Sequence, residues 1–426
     1  MCLYFIVNTF YTNIEVIMKR LAVILVLLGA VVVNAQDKVK FDAQIRPRFE
    51  INDKDFNSDI DAKTYTQMRT RLGVFFAPSE NIRAYIQFQD ARSFGDGTST
   101  TDDLQSADLH QGYLKITNFF NTKFALQVGR MSIGFGNQRF IGISDWGLAG
   151  RSLDGLVVNH TSENLALDLF AYKLNEKYDR GDTNDLNLYG AFATITSIEN
   201  LAIKSFLFWE KGVPTDNLNR WTVGFDIVGN IGNLTYEPEF AYQFGKMNYQ
   251  YPTNSLNRVR QYDIAAFFTA LNLTYQFEGN LRPKLNAGIE YFTGDDPTTA
   301  DKREGFNNLY GSNHAYYGIS DIIGQMPETT FNVGLRDIHI RFSFAPVKDF
   351  TFNVGLFSFM ANEDINLSNS VSKDIGMEAD FFLDYKYDNN ISFLAGTALF
   401  SPGDAFKEIY GKDSATWFYT GLVLSL

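Results

Sequence analysis

The sequence predicts an all-β fold, a transmembrane antiparallel β-barrel of about 18 strands. Three observations predict it. An N-terminal leader is followed by segments in which polar and apolar residues alternate, as in strands with two different faces. The connections between these segments are in turn short and long, as in transmembrane barrels. No later apolar stretch approaches the roughly 20 residues that a membrane-spanning helix needs.

The N-terminus carries the pattern of a secretory signal. The basic pair Lys19-Arg20 precedes an apolar run from Leu21 to Val33, and the small residue Ala35 follows at a cleavage position. The apolar run is too short to span a bilayer as a helix. We therefore predict that residues 1–35 are an upstream extension plus a signal peptide, and that residues 36–426 form a single barrel domain.

Composition narrows the class of protein. Met18 is a better start than Met1, because the basic pair would then stand directly at the N-terminus. The only cysteine, Cys2, precedes that start, so we expect no disulfide in the mature chain. The formal net charge is −12, which argues against nucleic-acid binding through a basic surface. Aromatic residues make up 15% of the chain, which suits a barrel with tyrosine belts at the membrane surfaces.

Alternation defines the individual strands. In the first one, Phe41, Ile45 and Phe49 fall on one face, and Arg46 and Glu50 on the other. The predicted strands lie at 41–51, 64–77, 81–92, 108–117, 123–131, 152–160, 164–175, 187–197, 201–210, 219–229, 232–246, 261–277, 282–294, 335–345, 349–361, 374–388, 390–401 and 417–426. A soluble sandwich would also alternate, but it has no reason to interleave short and long connections so regularly.

The connections predict the orientation of the barrel. Long loops are expected at 52–63, 93–107, 132–151, 176–186, 247–260, 295–334, 362–373 and 402–416. Outer-membrane barrels have short periplasmic turns and long external loops, so an even number of strands places both termini in the periplasm. Loop 295–334 is the longest, and a loop of this length can fold back into the lumen. Asp-rich stretches in exposed loops do not follow the calcium-binding EF-hand pattern, so we interpret them as solvated.

One stretch, residues 124–158, combines a broken strand with a glycine-rich loop that contains arginines. Its motifs are GR at 129–130, GNQRFIG at 136–142, Trp146 and GRSLDG at 150–155. Upstream, RPRFE at 46–50, RTRLG at 69–73 and QFQDAR at 87–92 occur in the matching order. Together these residues resemble the alginate export family of outer-membrane barrels. The resemblance is strong over residues 41–160, and it departs from the family pattern at Asn137, where an aspartate is expected.

The face opposite the apolar one is predicted to line the lumen. Cations cluster there on neighbouring N-terminal strands and in the glycine-rich loop, while carboxylates follow farther round. Arg130 falls on the apolar parity of its strand unless a bulge at Gly129 re-aims it. The predicted pore-lining or substrate-contacting residues are Arg46, Arg48, Arg69, Arg71, Arg83, Lys115, Arg130, Arg139, Arg151, Asp154, Glu237, Glu239 and Arg341. Further acidic positions of the same parity are Asp226, Glu290, Asp337, Glu378, Asp380 and Asp384, and Asp337 shares its strand with His339 and Arg341.

A basic arc facing an acidic arc would place a transverse field across the pore, and arginine ladders favour anions. The alternative is that these charges pair across strands and have only a structural role in the wall. Like charges on adjacent strands destabilise a sheet unless something negative lies between them. Either a carboxylate of a loop in the lumen or a passing anion could supply that charge.

The resemblance implies an outer-membrane channel for passive, anion-selective export of an acidic polysaccharide or oligosaccharide such as alginate. It implies no cofactor, no metal and no enzymatic step. The expected partners are outer-membrane lipid, the anionic cargo and periplasmic export proteins of a Gram-negative cell. A porin for uptake of small anionic solutes is the first alternative. An outer-membrane hydrolase or adhesin is more remote, because the four histidines show no catalytic or metal-binding spacing.

Overall fold

The computed structural model describes residues 38–96, 107–176, 185–212, 217–250 and 259–426. The predicted leader lies outside these ranges, as do parts of the loops predicted at 93–107, 176–186 and 247–260. Nineteen strands form one sheet, in which β1 pairs with both β2 and β19. The sheet is therefore closed into a barrel.

The strands alternate along the chain with short turns and longer loops. Their bounds are β1 Val39–Asp53, β2 Lys63–Ser79, β3 Ile82–Ser93, β4 Asp108–Ile116, β5 Phe124–Met131, β6 Leu153–Thr161, β7 Leu165–Asn175, β8 Leu186–Ile198, β9 Leu201–Gly212, β10 Asn219–Ile231, β11 Leu234–Gln250, β12 Val259–Gln276, β13 Lys284–Phe292, β14 Lys302–Arg303, β15 Leu335–Phe344, β16 Phe350–Asn366, β17 Val371–Lys386, β18 Ile391–Pro402 and β19 Ala415–Ser425. The helical segments are the α-helix α1, Asp404–Ile409, and 3-10 turns at Phe119–Asn121, Asn313–Ala315 and Glu328–Thr330.

Eighteen of these strands build the wall, which confirms the predicted all-β barrel. The exception is β14, which has two residues, lies within the longest loop and pairs in parallel with β12. Each wall strand pairs antiparallel with its neighbours, and β13 pairs directly with β15. Among the described residues, no helix is long and apolar enough to cross a membrane.

The two ends of the barrel differ. At the short-turn end, strands are joined by brief connections such as 199–200 and 232–233. At the long-loop end, residues 132–152 join β5 to β6, and residues 293–334 join β13 to β15. We call these two connections loop A and loop B. Both fold into the lumen, where they contact the wall and each other.

The outer face is apolar, as the alternation predicts. On β2, for example, Leu72, Val74 and Phe76 are exposed, while Arg69 and Arg71 point inward and are buried. Large hydrophobic side chains are exposed in the same alternating manner on most wall strands. Because a barrel has no free edge, every wall strand is hydrogen-bonded on both sides.

Part of the lumen is filled by an aromatic core, which the alternation of polar residues did not predict. Phe170 and Phe206 point inward from β7 and β9, and they stack near Phe135 and Phe140 of loop A. Phe306 of loop B joins the same buried cluster. Each buried phenylalanine contributes about 1.5–3 kcal/mol relative to exposure. Loops A and B are thus packed against this side of the wall and are not suspended in solvent.

Candidate functional site

The arginines of β1 and β2 hold loop A. Arg46, Arg48, Arg69 and Arg71 point into the lumen from these two strands, and we call them the basic wall. Arg46 donates to the carbonyl oxygens of Asp145 and Gly147 at 2.6 and 2.7 Å. The basic wall thus binds backbone groups of residues 145–149, which we call the strap.

Asp145 supplies the negative charge that the basic wall needs. Its carboxylate accepts from Arg69 and Arg71 at 3.0 and 2.9 Å, and Arg71 also donates to the carbonyl oxygen of Ala149 at 2.9 Å. Burial alone would raise the pKa of the Asp145 carboxyl, but the hydrogen bond from Arg69 and the neighbouring arginine charges outweigh burial. The pKa of Asp145 therefore lies below its ordinary value, and the carboxylate stays ionised at neutral pH.

The four arginines of the basic wall differ in how accessible they are to solutes. The Arg69 side chain has no exposed surface. The guanidinium of Arg48 lies 4.4 Å from the centre of the Trp146 ring, and Arg48 also pairs with Glu50 at 2.7 Å. Trp146 also stacks on His314 of loop B, with ring centres 4.1 Å apart. Arg48, the strap and loop B therefore form one continuous stack.

Arg139 of loop A lies at the opposite side of the lumen. It donates to Glu239 at 2.7 Å and binds Glu290 with two hydrogen bonds of 2.7 and 3.0 Å. It also lies 3.9 Å from the ring centre of Tyr316 in loop B and donates to Tyr317 at 3.2 Å. All of its charged contacts are buried, because its side chain is 2% exposed and those of both glutamates are 4% exposed or less.

The contacts of Asn137 explain why an asparagine replaces the expected aspartate at this position. Its amide nitrogen donates to Glu239 at 3.1 Å, and its side-chain oxygen accepts the backbone N–H of Arg139 at 3.1 Å. An aspartate at this position would place a second carboxylate against Glu239. The asparagine therefore suits a site in which one guanidinium already serves two glutamates.

Loops A and B are joined to each other by backbone hydrogen bonds. Ile141 and Tyr310 form a parallel bridge, and Gly142 donates to the Tyr310 carbonyl oxygen at 2.9 Å. The approach requires glycine at Gly311, because a Cβ there would lie 2.1 Å from the Arg139 carbonyl oxygen. Arg151 seals the junction by donating to the carbonyl oxygens of Gly142 and Tyr310. The two loops therefore form a single unit.

Loop B is held by carboxylates. Glu290, Asp337, Glu378 and Asp380 point inward from β13, β15 and β17, and we call them the acidic wall. Asp380 accepts the backbone N–H of Ile319 at 3.0 Å, and Glu378 accepts the N–H and the hydroxyl of Ser320 at 2.8 and 2.6 Å. Lys54 donates to the carbonyl oxygen of the same serine.

A cavity of about 560 Å³ lies between loops A and B and the wall toward the short-turn end. Trp146 and His314 lie on its loop side, and Arg341, Lys284 and Asp384 lie on its wall side. Arg341 donates to the carbonyl oxygen of Tyr316 at 2.5 Å and is only partly buried. The cavity therefore offers both a cationic and an anionic side chain to a solute.

Other predicted residues lie farther toward the short-turn end. Arg83 and Lys115 stand directly opposite each other on β3 and β4. Within the part of the chain that the structure describes, neither takes part in an ion pair. Glu237 is half-buried, one inward position before Glu239 on β11. These three side chains face the lumen, and among the described residues none of them forms a hydrogen bond or an ion pair with loop A or loop B.

Arg130 and Asp154 are placed differently from the prediction that they line the pore. They form an ion pair at 2.6 Å, with 35% and 56% of their side chains exposed. Arg130 shares the parity of the exposed Val128, and Asp154 shares that of the exposed Leu156. The register of β4 with β5 runs through Gly129 without a shift, so no bulge re-aims Arg130. The pair therefore lies on the outer face of the barrel.

Several residues that organise the lumen were not predicted as site residues. Asp145 and Trp146 lie in the glycine-rich stretch, but sequence alone does not show that the strap reaches the basic wall. His314, Tyr316 and Tyr317 belong to the loop that was expected to fold inward. The signal that could have indicated them is composition: His314, Tyr316 and Tyr317 lie close together in a loop that is otherwise rich in glycine.

Comparison with solved structures shows the same architecture. OccK8 (OprE) of Pseudomonas aeruginosa matches with a TM-score of 0.61 at 13% sequence identity, covering 92% of this chain and 98% of that one. OccAB4 of Acinetobacter baumannii matches with a TM-score of 0.61 at 12% identity, covering 91% and 98%. OpdK of Pseudomonas aeruginosa, solved with vanillate, matches with a TM-score of 0.58 at 12% identity, covering 92% and 99%.

Sequence comparison identifies the family. No curated protein sequence matches the chain significantly. The alginate export family model matches residues 37–420, almost the whole barrel. The predicted resemblance, drawn from residues 41–160, thus extends over the entire wall. The chain belongs to the alginate export family and is an outer-membrane β-barrel channel.

Proposed function

We propose that this barrel is a passive, substrate-specific channel for small anionic solutes, in particular organic carboxylates. The observation that carries the proposal is the 560 Å³ cavity left beside loops A and B, with the guanidinium of Arg341 on its wall. Pockets of about 300–1,000 Å³ accommodate small organic molecules. Lys284 adds a second cation to the cavity wall. The vanillate in the OpdK structure is itself a small carboxylate, which supports this choice of solute.

The orientation follows from the plan of outer-membrane barrels. The short-turn end, where β1 begins and β19 ends, would face the periplasm of a Gram-negative cell, and the long-loop end would face outside. A solute would then cross the level of loops A and B before it reached Arg83 and Lys115. No covalent step is needed, because transport would follow the concentration gradient.

Export of an acidic polysaccharide such as alginate is the second candidate. The family match to residues 37–420 favours it. A polymer needs a continuous path, however, and the strap and loop B are hydrogen-bonded to opposite walls of the lumen. Polymer export would therefore require these hydrogen bonds to open.

Single-channel recording in a planar bilayer tests both candidates. We would measure the reversal potential in a salt gradient and then add vanillate or oligouronate to one side. We expect anion preference and transient block by vanillate, because a bound carboxylate would occupy the cavity beside Arg341. Arg341→Gln should weaken the block. Arg336→Gln is the matched control, because Arg336 lies on the same strand with the parity of the exposed Ile338 and Ile340.

The outcomes separate the candidates. Block by oligouronate without block by vanillate would replace the small-solute channel with the polysaccharide channel. A current indifferent to both compounds would contradict both substrate proposals. The absence of any current would return attention to an adhesin or hydrolase on the same barrel.

A further inference from the structure

Three side chains with metal-binding chemistry meet on the inner wall at the base of loop B. Glu290 of β13 and Asp337 of β15 stand directly opposite each other in the strand register. His339 is the next inward residue on β15. One ligand atom from each of the three lies within 4.8 Å of the others. All three side chains are buried, with 1% or less exposed.

Each ring nitrogen of His339 faces one polar side chain. Its Nε2 atom faces the side-chain oxygen of Asn272 at 2.9 Å, and its Nδ1 atom faces a carboxylate oxygen of Asp337 at 2.8 Å. With the Asn272 oxygen as the acceptor, Nε2 carries the proton of a neutral ring, and Nδ1 is left with a lone pair that can bind a metal ion. If the ring is neutral, Nδ1 directs a lone pair at the Asp337 carboxylate. At this distance the two atoms need either a shared proton or a metal ion between them.

Two further observations indicate a missing positive charge. The other carboxylate oxygen of Asp337 is buried and has no hydrogen-bond partner. Among the described residues, Arg139 forms ion pairs with Glu239 and Glu290, whereas no arginine or lysine forms one with Asp337. Two buried glutamates thus share one guanidinium, and the ion-pair partner of the buried Asp337 beside them is His339. Buried charges of this kind are normally compensated by a partner or by a metal ion.

We propose that the cluster of Glu290, Asp337 and His339 binds a divalent transition metal ion, with zinc as the best match. Zinc takes histidine nitrogen together with carboxylate oxygen ligands. The ligands are Nδ1 of His339 and one oxygen each from Asp337 and Glu290. The hydrogen bond from Nε2 to Asn272 is the outer contact that fixes the ring of a metal-binding histidine. A carboxylate oxygen has two lone pairs, so Glu290 can bind the ion and still accept from Arg139.

The position of the cluster gives the ion a structural consequence. Glu290 lies two residues before the end of β13, and Asp337 lies two residues after the start of β15. The ion therefore joins the two strands between which loop B leaves and returns. Because Arg139 and loop B cover the cluster, the ion enters before these loops are seated. It is therefore acquired during folding and leaves slowly afterwards.

The test is to refold the full-length mature barrel in detergent with zinc or with a chelator and to measure its metal content after desalting. We expect about one zinc ion per chain after refolding with zinc, and refolding with cobalt should give the visible absorption of a low-symmetry site. His339→Ala should abolish both signals. His160→Ala is the control, because His160 lies on β6 beside Phe124 and away from the cluster.

Two variants protect the test against misfolding. Asp337→Asn keeps the volume of the side chain, removes a charged ligand and should also abolish binding. Asn272→Ala should weaken zinc binding about 10- to 100-fold, as outer-contact substitutions do. The proposal is overturned if the wild-type chain retains no more zinc than His339→Ala or Asp337→Asn. In that case the cluster holds a proton between His339 and Asp337 and no metal ion.

Discussion

The basic wall and the acidic wall hold the two lumen loops by opposite ends of the peptide group. Arg46 and Arg71 donate to carbonyl oxygens of the strap, whereas Glu378 and Asp380 accept backbone N–H groups of loop B. A peptide group offers one donor and one acceptor, so side chains of either sign of charge can bind the backbone of a loop. Charged side chains in a barrel lumen can therefore serve mainly to hold loops in place, and they need not contact a solute.

The two walls also differ in what remains for transport. Many of the hydrogen-bond donors of the basic wall bind the strap, and the Arg69 side chain is fully buried. The cations that face the cavity or the short-turn end are others, namely Lys284, Arg341, Arg83 and Lys115. Substrate contacts expected at Arg46, Arg69 and Arg71 remain predictions, and mutations can decide between fastening and contact.

Removing Arg139 should have the largest effect, because it connects loop A to the acidic side. Arg139→Met leaves Glu239 and Glu290 buried without their cation, and we expect a loss of about 3–5 kcal/mol in the free energy of unfolding. Urea unfolding in detergent, followed by tryptophan fluorescence, measures it. The control is Arg130→Met on the outer face, where an exposed pair contributes about 0–1 kcal/mol. Equal effects of the two substitutions would contradict a fastening role for Arg139.

Neutralising two residues of the basic wall should release the strap. For Arg69→Met combined with Arg71→Met we expect a loss of about 2–3 kcal/mol, since hydrogen bonds to charged groups are the strong ones. The barrel should still fold, conductance should rise, and selectivity should move from anions toward cations. Single-channel recording measures both quantities. Arg83→Met is the control, because Arg83 faces the lumen but does not bind the strap. A rise in conductance in the control alone would sink this prediction.

The acidic wall should respond more weakly to a conservative change. Glu378→Gln combined with Asp380→Asn keeps the shapes but replaces one oxygen of each carboxyl group with an amide nitrogen that cannot accept, which we expect to cost about 1–2 kcal/mol. Loop B should then detach intermittently, and current fluctuations should increase. Asp384→Asn is the matched control on the same strand, since Asp384 accepts from Asn353 of the wall and not from loop B. Identical current noise in wild type and double variant would argue against the fastening.

Acid should produce the smallest effect near neutral pH. The pKa of Asp145 is lowered, so its stabilising contribution is complete above the pKa of an unfolded aspartate, about 3.9. It is lost only as pH falls through the lowered pKa. Conductance should therefore stay constant from pH 7 to about pH 4 and rise below it. Asp145→Asn should remove that acid-induced rise. A transition near pH 6 would assign the fastening to another group.

Much of the wall could be predicted from the sequence. Every predicted strand corresponds to an observed one, because burial on one face imposes a two-residue period that the sequence displays directly. Differences occur at strand ends. β16 extends to Asn366, beyond the predicted 361, since β16 and β17 continue as a hairpin past a register shift near Met360. Such extensions leave the alternation unchanged and therefore carry no signal of their own.

The interior was less predictable. Phe170 and Phe206 point inward although they are apolar, and a pattern that assumes a polar lumen does not predict this. Their inward position is explained by Phe135 and Phe140 of loop A, which pack on them. The pair of Arg139 with Glu290 joins positions 151 residues apart. Contacts over such separations depend on how loops fold, and a single sequence states the residue types but not the partners.

The pairing of β1 with β19 has a consequence for how the chain reaches its final state. Trp417 donates to Glu50 across 367 positions of sequence, so this seam joins the first strand to the last. Contacts of such long range are slow to form, because closing a large loop costs entropy before the hydrogen bonds between the strands can offset it. Until the seam forms, two unsatisfied strand edges are available to other chains. Newly exported copies should therefore be prone to aggregation up to that last step, and a holding chaperone would protect them.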